Sequence, residues 1–135
     1  VFAILGDGEC QEGQIWEAAA TAVIYELDNL VVFVDDNGLQ LDGTTDEVMP
    51  NLDLEKKFEA FGFETTRIDG HKMEEIVETL NFVRGRKNGK PKCIVANTIK
   101  GKGVSYMENV VGWHGAAPNE EQFNQAMEEL AGGLE

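Results

Sequence analysis

Two residues with ligand-type side chains, Asp7 and Asn37, lie 30 positions apart, and each comes just after a short apolar run. Carboxylate and amide oxygens suit Mg²⁺, which needs six oxygens and usually takes some of them from phosphate groups and water. Gly6 and Gly8 flank the carboxylate, and glycine lets the backbone approach a phosphate closely. Gly-Asp-Gly alone is typical of a tight turn, but its combination with Asn37 at a second strand end favours a site for Mg²⁺ and a diphosphate.

A basic loop, Lys-Gly-Lys-Gly at residues 100–103, follows a later apolar run. The chain carries 25 acidic and 11 basic residues, for a formal net charge of −14, so a bound diphosphate requires a local cation. Lys100 and Lys102 in a glycine-rich loop suit that purpose, although two solvated loop charges would give the same pattern. The acidic charge argues against a nucleic acid or an anionic membrane as partner.

Alternating strands and helices are expected to position these residues. Apolar runs predict strands at 1–5, 30–34, 63–68 and 93–97, and helical spacing predicts helices at 14–27, 54–61, 72–86 and 119–130. This alternation indicates an α/β fold, doubly wound, with a mostly parallel sheet of about four strands. The runs are unbroken, as in a sheet covered on both faces. Ligands bind at the carboxyl ends of such strands, so the three polar loops should meet at one edge.

The chain has 135 residues and is expected to form one domain. Because it opens inside an apolar strand, we expect sequence to be missing before it. Cys10 and Cys93 have no metal-ligand spacing and form no disulfide framework, which suits a reduced, cytoplasmic setting. Cys10 also lies near a helix start, where a thiol can be acidified, but we interpret it as incidental. No apolar run approaches the roughly 18 residues of a membrane span.

The amino-acid sequences of these segments resemble those of transketolases, which are thiamine-diphosphate enzymes. The matching segments are GDGECQEGQIWEA at 6–18, LDNL at 27–30, DNGLQLDG at 36–43, TIKGKG at 98–103 and WHG at 113–115. The resemblance runs almost to the end of the chain. It is closest to the N-terminal, diphosphate-binding subunit of transketolases split across two chains, of which this chain resembles the C-terminal half. Residues 1–135 are accordingly expected to be part of a diphosphate-binding domain.

The cofactors that the resemblance implies are thiamine diphosphate and Mg²⁺, with Ca²⁺ or Mn²⁺ as substitutes for the metal. Asp7 and Asn37 match side-chain metal ligands, and Leu39 matches a residue that gives its backbone carbonyl to the metal. The resemblance and the loop pattern together give as cofactor-binding residues Gly6, Asp7, Gly8, Asn37, Leu41, Lys100 and His114. Among these, Leu41 matches an apolar residue that packs on the thiazolium ring.

Two residues match catalytic positions of the family. His114 matches a histidine that contacts the diphosphate and lies beside the transferred sugar. Glu12 matches a glutamate at the dimer interface, close to the partner's cofactor-activating glutamate. From the residues alone, the pattern favours a structural loop histidine at position 114, and Glu12 could be a first-turn acid that favours the helix dipole. His71 matches no catalytic residue and is interpreted as structural.

The activity that the resemblance implies is transfer of a two-carbon ketol unit from a ketose phosphate to an aldose phosphate, as in the pentose phosphate pathway. The pyrimidine-binding domain is expected on a separate C-terminal transketolase chain, and the first half of the diphosphate-binding domain is not recognisable here. The chain is therefore expected to be inactive alone and to work in a homo- or hetero-oligomer, the family being dimeric.

Several alternatives are compatible with the sequence. The chain could belong to another thiamine-diphosphate enzyme, such as a 1-deoxyxylulose-5-phosphate synthase or a 2-oxoacid dehydrogenase component, although residues 37–43 argue against the dehydrogenase. It could also be a non-catalytic cofactor-binding fragment. Two origins are likewise open, a truncated N-terminal subunit or a short subunit that needs two partners.

Overall fold

A parallel sheet of four strands forms the centre of the computed structural model, which describes residues 1–132. The strands are β1 (Phe2–Gly6), β2 (Val31–Asp36), β3 (Leu39–Gln40), β4 (Gly43–Thr44), β5 (Glu64–Asp69) and β6 (Lys92–Asn97), and the helices are α1 (Gly13–Ile24), α2 (Thr45–Val48), α3 (Leu54–Phe61), α4 (Met73–Arg84) and α5 (Glu120–Gly132). The sheet order is β1-β2-β6-β5, while β3 and β4 form a separate antiparallel hairpin. None of the helices in residues 1–132 is long and apolar enough to cross a membrane.

Strands β1, β2 and β6 lie side by side with their carboxyl ends in register. Gly6 pairs with Asp35, and Asp36 pairs with Asn97. Neighbouring strands are about 4.8 Å apart, so the loops that leave these three ends start close together. This register explains why the Gly-Asp-Gly loop, the Asp-Asn-Gly loop and the lysine loop meet at one edge.

Helices cover both faces of the sheet, which is the predicted doubly wound α/β arrangement. The core under α1 and α3 contains Cys10, Ala19, Ala22, Val32, Val34, Leu54, Phe58, Phe63, Cys93 and Val95. The core under α4 contains Val31, Ile68, Val83, Ile94 and Ala96. Successive residues of β2, Val31 and Val32, thus face opposite layers, as the alternation of a strand requires. The predicted fold class is confirmed.

Strand β1 departs from the expectation that the strands are buried on both faces. Phe2 and Ile4 are 60% and 78% exposed, whereas β6 is buried over 92–96. The difference arises because β1 is an edge strand, and the core under α4 reaches β2, β5 and β6 only. Within residues 1–132, one face of β1 is therefore apolar and open.

Helix ends follow local signals, with one exception. Gly62 ends α3 at a φ of 106°, in the left-handed region that glycine adopts without a steric clash. The predicted capping box before α5 is confirmed, since Asn119 Oδ1 accepts from the Gln122 N–H at 2.9 Å and Gln122 Oε1 accepts from the Asn119 N–H at 3.0 Å. Helix α1 ends earlier than the predicted residue 27, because Glu26 takes a φ of 50°.

The β3–β4 hairpin and the one-turn helix α2 were not predicted. Two-residue strands and a four-residue helix are too short to show a hydrophobic period. The hairpin begins only two residues after β2, so it returns the chain to the edge where the polar loops meet. Thr44 then caps α2 by accepting a hydrogen bond from the Glu47 N–H at 3.2 Å.

Candidate functional site

An open cavity of about 670 Å³ lies at the carboxyl edge of β1 and β2. The residues that line it include nine of the ten candidates for the site, namely Gly6, Asp7, Gly8, Glu12, Asn37, Leu39, Leu41, Lys100 and His114. The tenth, Lys102, is not among them. They come from the loops after β1, β2 and β6, from the β3–β4 hairpin and from a 3-10 turn at Val111–His114. Segments far apart in the sequence therefore converge on one cavity.

Asp7 lines this cavity, although only 1% of the residue is exposed to solvent. Its Oδ1 accepts from the Gly8 N–H at 2.7 Å and its Oδ2 accepts from the Gly38 N–H at 2.6 Å. Its backbone is held as well, because its N–H donates to the Asp35 carbonyl at 3.1 Å and its carbonyl accepts from Asn51 Nδ2 at 2.7 Å. Each carboxylate oxygen has a further lone pair, so Asp7 is fixed in place and can still bind a cation.

The surroundings of Asp7 disfavour an uncompensated negative charge. Burial raises the pKa of its carboxyl above the ordinary value, and the neighbouring carboxylates of Asp36 and Asp35 raise it further. The N–H groups of Gly38 and Gly8 oppose these effects in part. A cation beside the carboxylate would favour its charged form, so the electrostatics suit a metal at this position.

Asn37 is held by two side-chain hydrogen bonds. Its Nδ2 donates to Asp35 Oδ2 at 3.0 Å, and its Oδ1 accepts from the Leu39 N–H at 3.0 Å. Leu39 is buried and pairs with Thr44 in the hairpin, so the hairpin fixes the position of its backbone. Asn37 and Leu39 thus enter the cavity in a defined arrangement rather than on a loose loop.

The candidate metal ligands are all oxygen atoms, as Mg²⁺ prefers. They are the carboxylate of Asp7, the amide oxygen of Asn37 and the backbone carbonyl of Leu39. Within residues 1–132, no group of three or more histidine, cysteine, aspartate and glutamate side chains is arranged to hold a metal ion. The candidate set differs from such a cluster because it contains a single carboxylate, and it leaves coordination positions for a phosphate group and water.

The loop after β6 brings one of its two lysines to the cavity. Lys100 lines the cavity, whereas Lys102 lies 3.6 Å from the carboxylate of Glu108. Gly101 is required between them, because it has a φ of 76° and an added Cβ would lie 2.7 Å from the backbone of Met107. Lys100 is therefore the better placed of the two for an anionic ligand.

His71 supports this loop from outside the cavity. Its Nε2 accepts from the Ile99 N–H at 2.7 Å, and its own backbone N–H donates to Asp69 Oδ1 at 3.0 Å. The adjacent Gly70 donates to the Asn97 carbonyl at 2.8 Å, and a Cβ there would lie 2.5 Å from Thr98 Cγ2. These contacts agree with the structural interpretation of His71.

His114 is exposed at the end of the Val111–His114 turn and lines the cavity. Its neighbour Trp113 anchors the turn, since the indole N–H donates to the Tyr106 carbonyl at 3.0 Å. The Trp113 and Tyr106 rings also pack with centroids 5.3 Å apart. The imidazole is therefore presented by an anchored turn and is accessible to a ligand.

Glu12 and Leu41 are both exposed where they line the cavity. Glu12 stands at the N-cap position of α1 without capping it through its side chain. Leu41 is 67% exposed and lies between the two strands of the hairpin. An exposed carboxylate and an exposed apolar side chain at the same opening can meet a ligand ring or a partner chain.

Three residues that the sequence did not single out hold the site together. The Asp35 carboxylate accepts a hydrogen bond from Asn37 Nδ2, and Asn51 Nδ2 donates one to the Asp7 carbonyl across 44 positions of sequence. Gln40 lies against Gly8, where an added Cβ would be 3.0 Å from Gln40 Cβ. Contacts between distant segments leave no local pattern, and only the place of Asp35 at a strand end was a usable signal.

The position of Cys10 near a helix start does not acidify its thiol, which agrees with its interpretation as incidental. Cys10 is buried, and burial raises the pKa of its thiol to about 12, with Asp7 and Glu9 adding to the shift. Burial also raises the pKa of the Cys93 thiol. Both residues are core side chains rather than reactive thiols.

Comparison with protein families gives one match over almost the whole chain. The family described as transketolase, thiamine diphosphate binding domain, matches residues 1–133. Among solved structures, the transketolase from Campylobacter jejuni superposes with a TM-score of 0.88 at 34% identity, over 96% of this chain and 20% of that one.

Curated relatives include subunits of transketolases. The chain is 41% identical over 134 residues to an apulose-4-phosphate transketolase subunit of Phocaeicola vulgatus, covering 99% of this chain and 47% of the relative. It is 45% identical over 130 residues to the 6-deoxy-6-sulfo-D-fructose transketolase subunit SqwG of Clostridium sp., covering 96% of this chain and 47% of the relative. The chain thus spans about half the length of these relatives.

Proposed function

This chain belongs to the transketolase family through its thiamine-diphosphate-binding domain, and we propose that the cavity described above binds thiamine diphosphate together with Mg²⁺ for ketol transfer. This proposal rests on one observation: nine residues from five separate segments converge on one cavity. Residues 1–135 would then form part of a diphosphate-binding domain.

Asp7, Asn37 and the Leu39 carbonyl would hold Mg²⁺, which acts as a clamp for the diphosphate. The raised pKa of Asp7 supports this assignment, because a cation offsets the cost of its buried charge. Ca²⁺ or Mn²⁺ could substitute, since both accept oxygen ligands.

The diphosphate would lie between the glycine turn and the lysine loop. Gly8 leaves room for the backbone to approach a phosphate, and Gly6 begins the same turn. Lys100 adds a positive charge in a chain of net charge −14. Leu41 would pack against the thiazolium ring through its exposed apolar surface.

When bound, thiamine diphosphate supplies the carbanion chemistry for moving a two-carbon unit. His114 would hydrogen-bond to sugar oxygens or exchange a proton with them, for which an accessible imidazole is suited. Glu12 would lie against the partner chain, near that chain's activating carboxylate. The substrates would be a ketose phosphate as donor and an aldose phosphate as acceptor.

Turnover would require more than residues 1–135. The relatives named as subunits are about twice as long as this chain, and the pyrimidine-binding domain is expected on a C-terminal transketolase chain. The open apolar face of β1 and the exposed Glu12 and Leu41 support further contacts. We expect a homo- or hetero-oligomer.

A ketol-transfer assay of the assembly tests this proposal. The chain is combined with the remaining part of the N-terminal section and a pyrimidine-domain chain, with cofactor, Mg²⁺, a ketose phosphate and an aldose phosphate. Formation of a product two carbons longer than the acceptor is expected. Cofactor binding without that product would favour the non-catalytic alternative, and formation of a deoxyketose phosphate from pyruvate would favour the synthase.

A further inference from the structure

Asp35, near the end of β2, contacts all three loops around the cavity. Its carbonyl accepts from the Asp7 N–H at 3.1 Å, and its Oδ2 accepts from Asn37 Nδ2 at 3.0 Å. Its Oδ1 accepts a hydrogen bond from Thr98 Oγ1, just beyond β6. One side chain and its backbone therefore join the segments that carry Asp7, Asn37 and Lys100.

We propose that Asp35 is a positioning residue that determines which end of the Asn37 amide is offered to the cation. A side-chain amide donates through nitrogen and accepts through oxygen, and only the oxygen can bind a metal. Because Asp35 Oδ2 takes the Nδ2 donor, Asn37 Oδ1 keeps the opposite orientation. Oδ1 accepts from the Leu39 N–H and has a second lone pair for a cation. This inference rests on the proposed metal site.

Thr98 extends the same arrangement to the lysine loop. Its hydroxyl donates to Asp35 Oδ1, which fixes the rotation of the carboxylate that orients Asn37. Thr98 lies two positions before Lys100, and the segment is clamped by Gly70 and His71 from the loop after β5. A chain of hydrogen bonds thus links the loop proposed to contact the phosphate with the loop proposed to hold the metal.

Asp36 provides a control that distinguishes this positioning role from a general effect of negative charge near Asp7. Like Asp35, it raises the pKa of Asp7, so both carboxylates act on the same group. Its own carboxylate, however, accepts from Arg67 at 2.7 Å. Removal of either charge should lower the pKa of Asp7, but only removal of Asp35 takes away the acceptor of Asn37 Nδ2.

The test measures Mg²⁺-dependent binding of thiamine diphosphate by calorimetry with the full 135-residue chain and four variants. Asp35→Ala is expected to weaken binding about 10- to 100-fold, the usual effect of removing a partner of a metal ligand. Asp36→Ala should change the affinity by less than about threefold, because its partly exposed carboxylate pairs with Arg67 rather than with Asn37. Thr98→Val should weaken binding about 3- to 10-fold, as for one lost hydrogen bond, and Thr98→Ser should retain the unmodified affinity.

The outcomes distinguish this inference from the proposed function. Equal losses in Asp35→Ala and Asp36→Ala, or an unchanged affinity in Asp35→Ala, would overturn the positioning role while the metal site stands. No Mg²⁺-dependent binding by the unmodified chain, even with the pyrimidine-domain chain present, would remove the proposed function and this inference with it. If thermal melting shows that Asp35→Ala does not fold, the isosteric Thr98→Val and its Thr98→Ser counterpart decide the question.

Discussion

His114 is the residue for which a catalytic and a structural role predict different results. It is exposed at the end of its turn, and Trp113 supplies the anchoring contacts. We expect His114→Ala to lower kcat of the assembled enzyme at least about 100-fold, as loss of an acid–base group does. The free energy of unfolding should change by no more than about 0.5 kcal/mol, measured by urea denaturation.

His71, the other histidine of the chain, is the natural comparison. Removing it leaves the Ile99 N–H without its acceptor, so His71→Ala should lower the free energy of unfolding by about 1 kcal/mol. If His114→Ala instead lost helical circular dichroism signal while turnover per folded molecule was preserved, the structural interpretation of His114 would be correct.

The buried Cys10 thiol should make the free energy of unfolding depend on pH, and burial determines the sign of this dependence. Its pKa is raised from 9.0 to about 12, so the folded state retains a proton that the unfolded state loses. The associated stability is fully present below pH 9 and is lost as pH rises toward 12, by at most about 1.4 kcal/mol per pH unit. Urea denaturation at pH 8 and pH 10 measures this loss. Cys10→Ala should reduce the slope with pH, whatever its effect on stability at pH 8, and an unchanged slope would contradict the assignment.

For individual residues, the sequence predicted which ones line the cavity but not the hydrogen bonds that hold them in place. Asp7, Asn37 and Lys100 each follow a strand end, and the family wording supplied His114 and Leu41. Asn51 could not be predicted, because its bond to the Asp7 carbonyl depends on how residues 38–53 fold back. Hydrogen bonds between distant segments are set by tertiary packing rather than by local pattern.

Among the secondary-structure elements, the ends of α3 and α4 provide a matched pair of glycines. Gly62 has a φ of 106°, and an added Cβ would lie 3.1 Å from Val23 Cγ1, whereas Gly85 has a φ of −90° and open space around it. Gly62→Ala should lower the free energy of unfolding by about 1–2 kcal/mol, the cost of a left-handed conformation. Gly85→Ala should be neutral or slightly stabilising. Equal effects in urea denaturation would contradict this explanation of the helix ends.

The elements that the sequence predicted are those long enough to show a period. Helices α1, α3, α4 and α5 and the four sheet strands each span five or more residues. The β3–β4 hairpin and α2 have no such signal, yet the hairpin supplies Leu39 and borders Leu41. Part of the candidate site thus lies on elements that only the folded structure reveals.

For the whole molecule, the open face of β1 leads to a prediction about association. Ile4 is 78% exposed on an edge strand, and Ile24, at the end of α1, is also 78% exposed. An apolar edge strand promotes pairing between chains. Sedimentation should show concentration-dependent self-association, which Ile4→Lys reduces and Ile24→Lys does not. Equal behaviour of the two variants would mean that β1 is not the contact.

The sheet order is the feature of the whole molecule that the sequence did not predict. Strand β5 precedes β6 in the chain but lies outside it, at the far edge. The position of β5 depends on the packing of α3 and α4 on opposite faces of the sheet. No single segment of the sequence determines that packing. The carboxyl ends of β1, β2 and β6 are nevertheless adjacent, and this adjacency brings the three loops together.

The central claim is tested most directly by calorimetric titration of the chain with thiamine diphosphate, with and without Mg²⁺. We expect binding that requires the metal, that is lost in Asp7→Ala with its circular dichroism spectrum retained, and that persists in Asp46→Ala, which removes an exposed acid of α2. Equal affinity of Asp7→Ala and the unmodified chain would contradict the metal assignment. No binding by the folded chain, even with the pyrimidine-domain chain present, would contradict the proposed cofactor site.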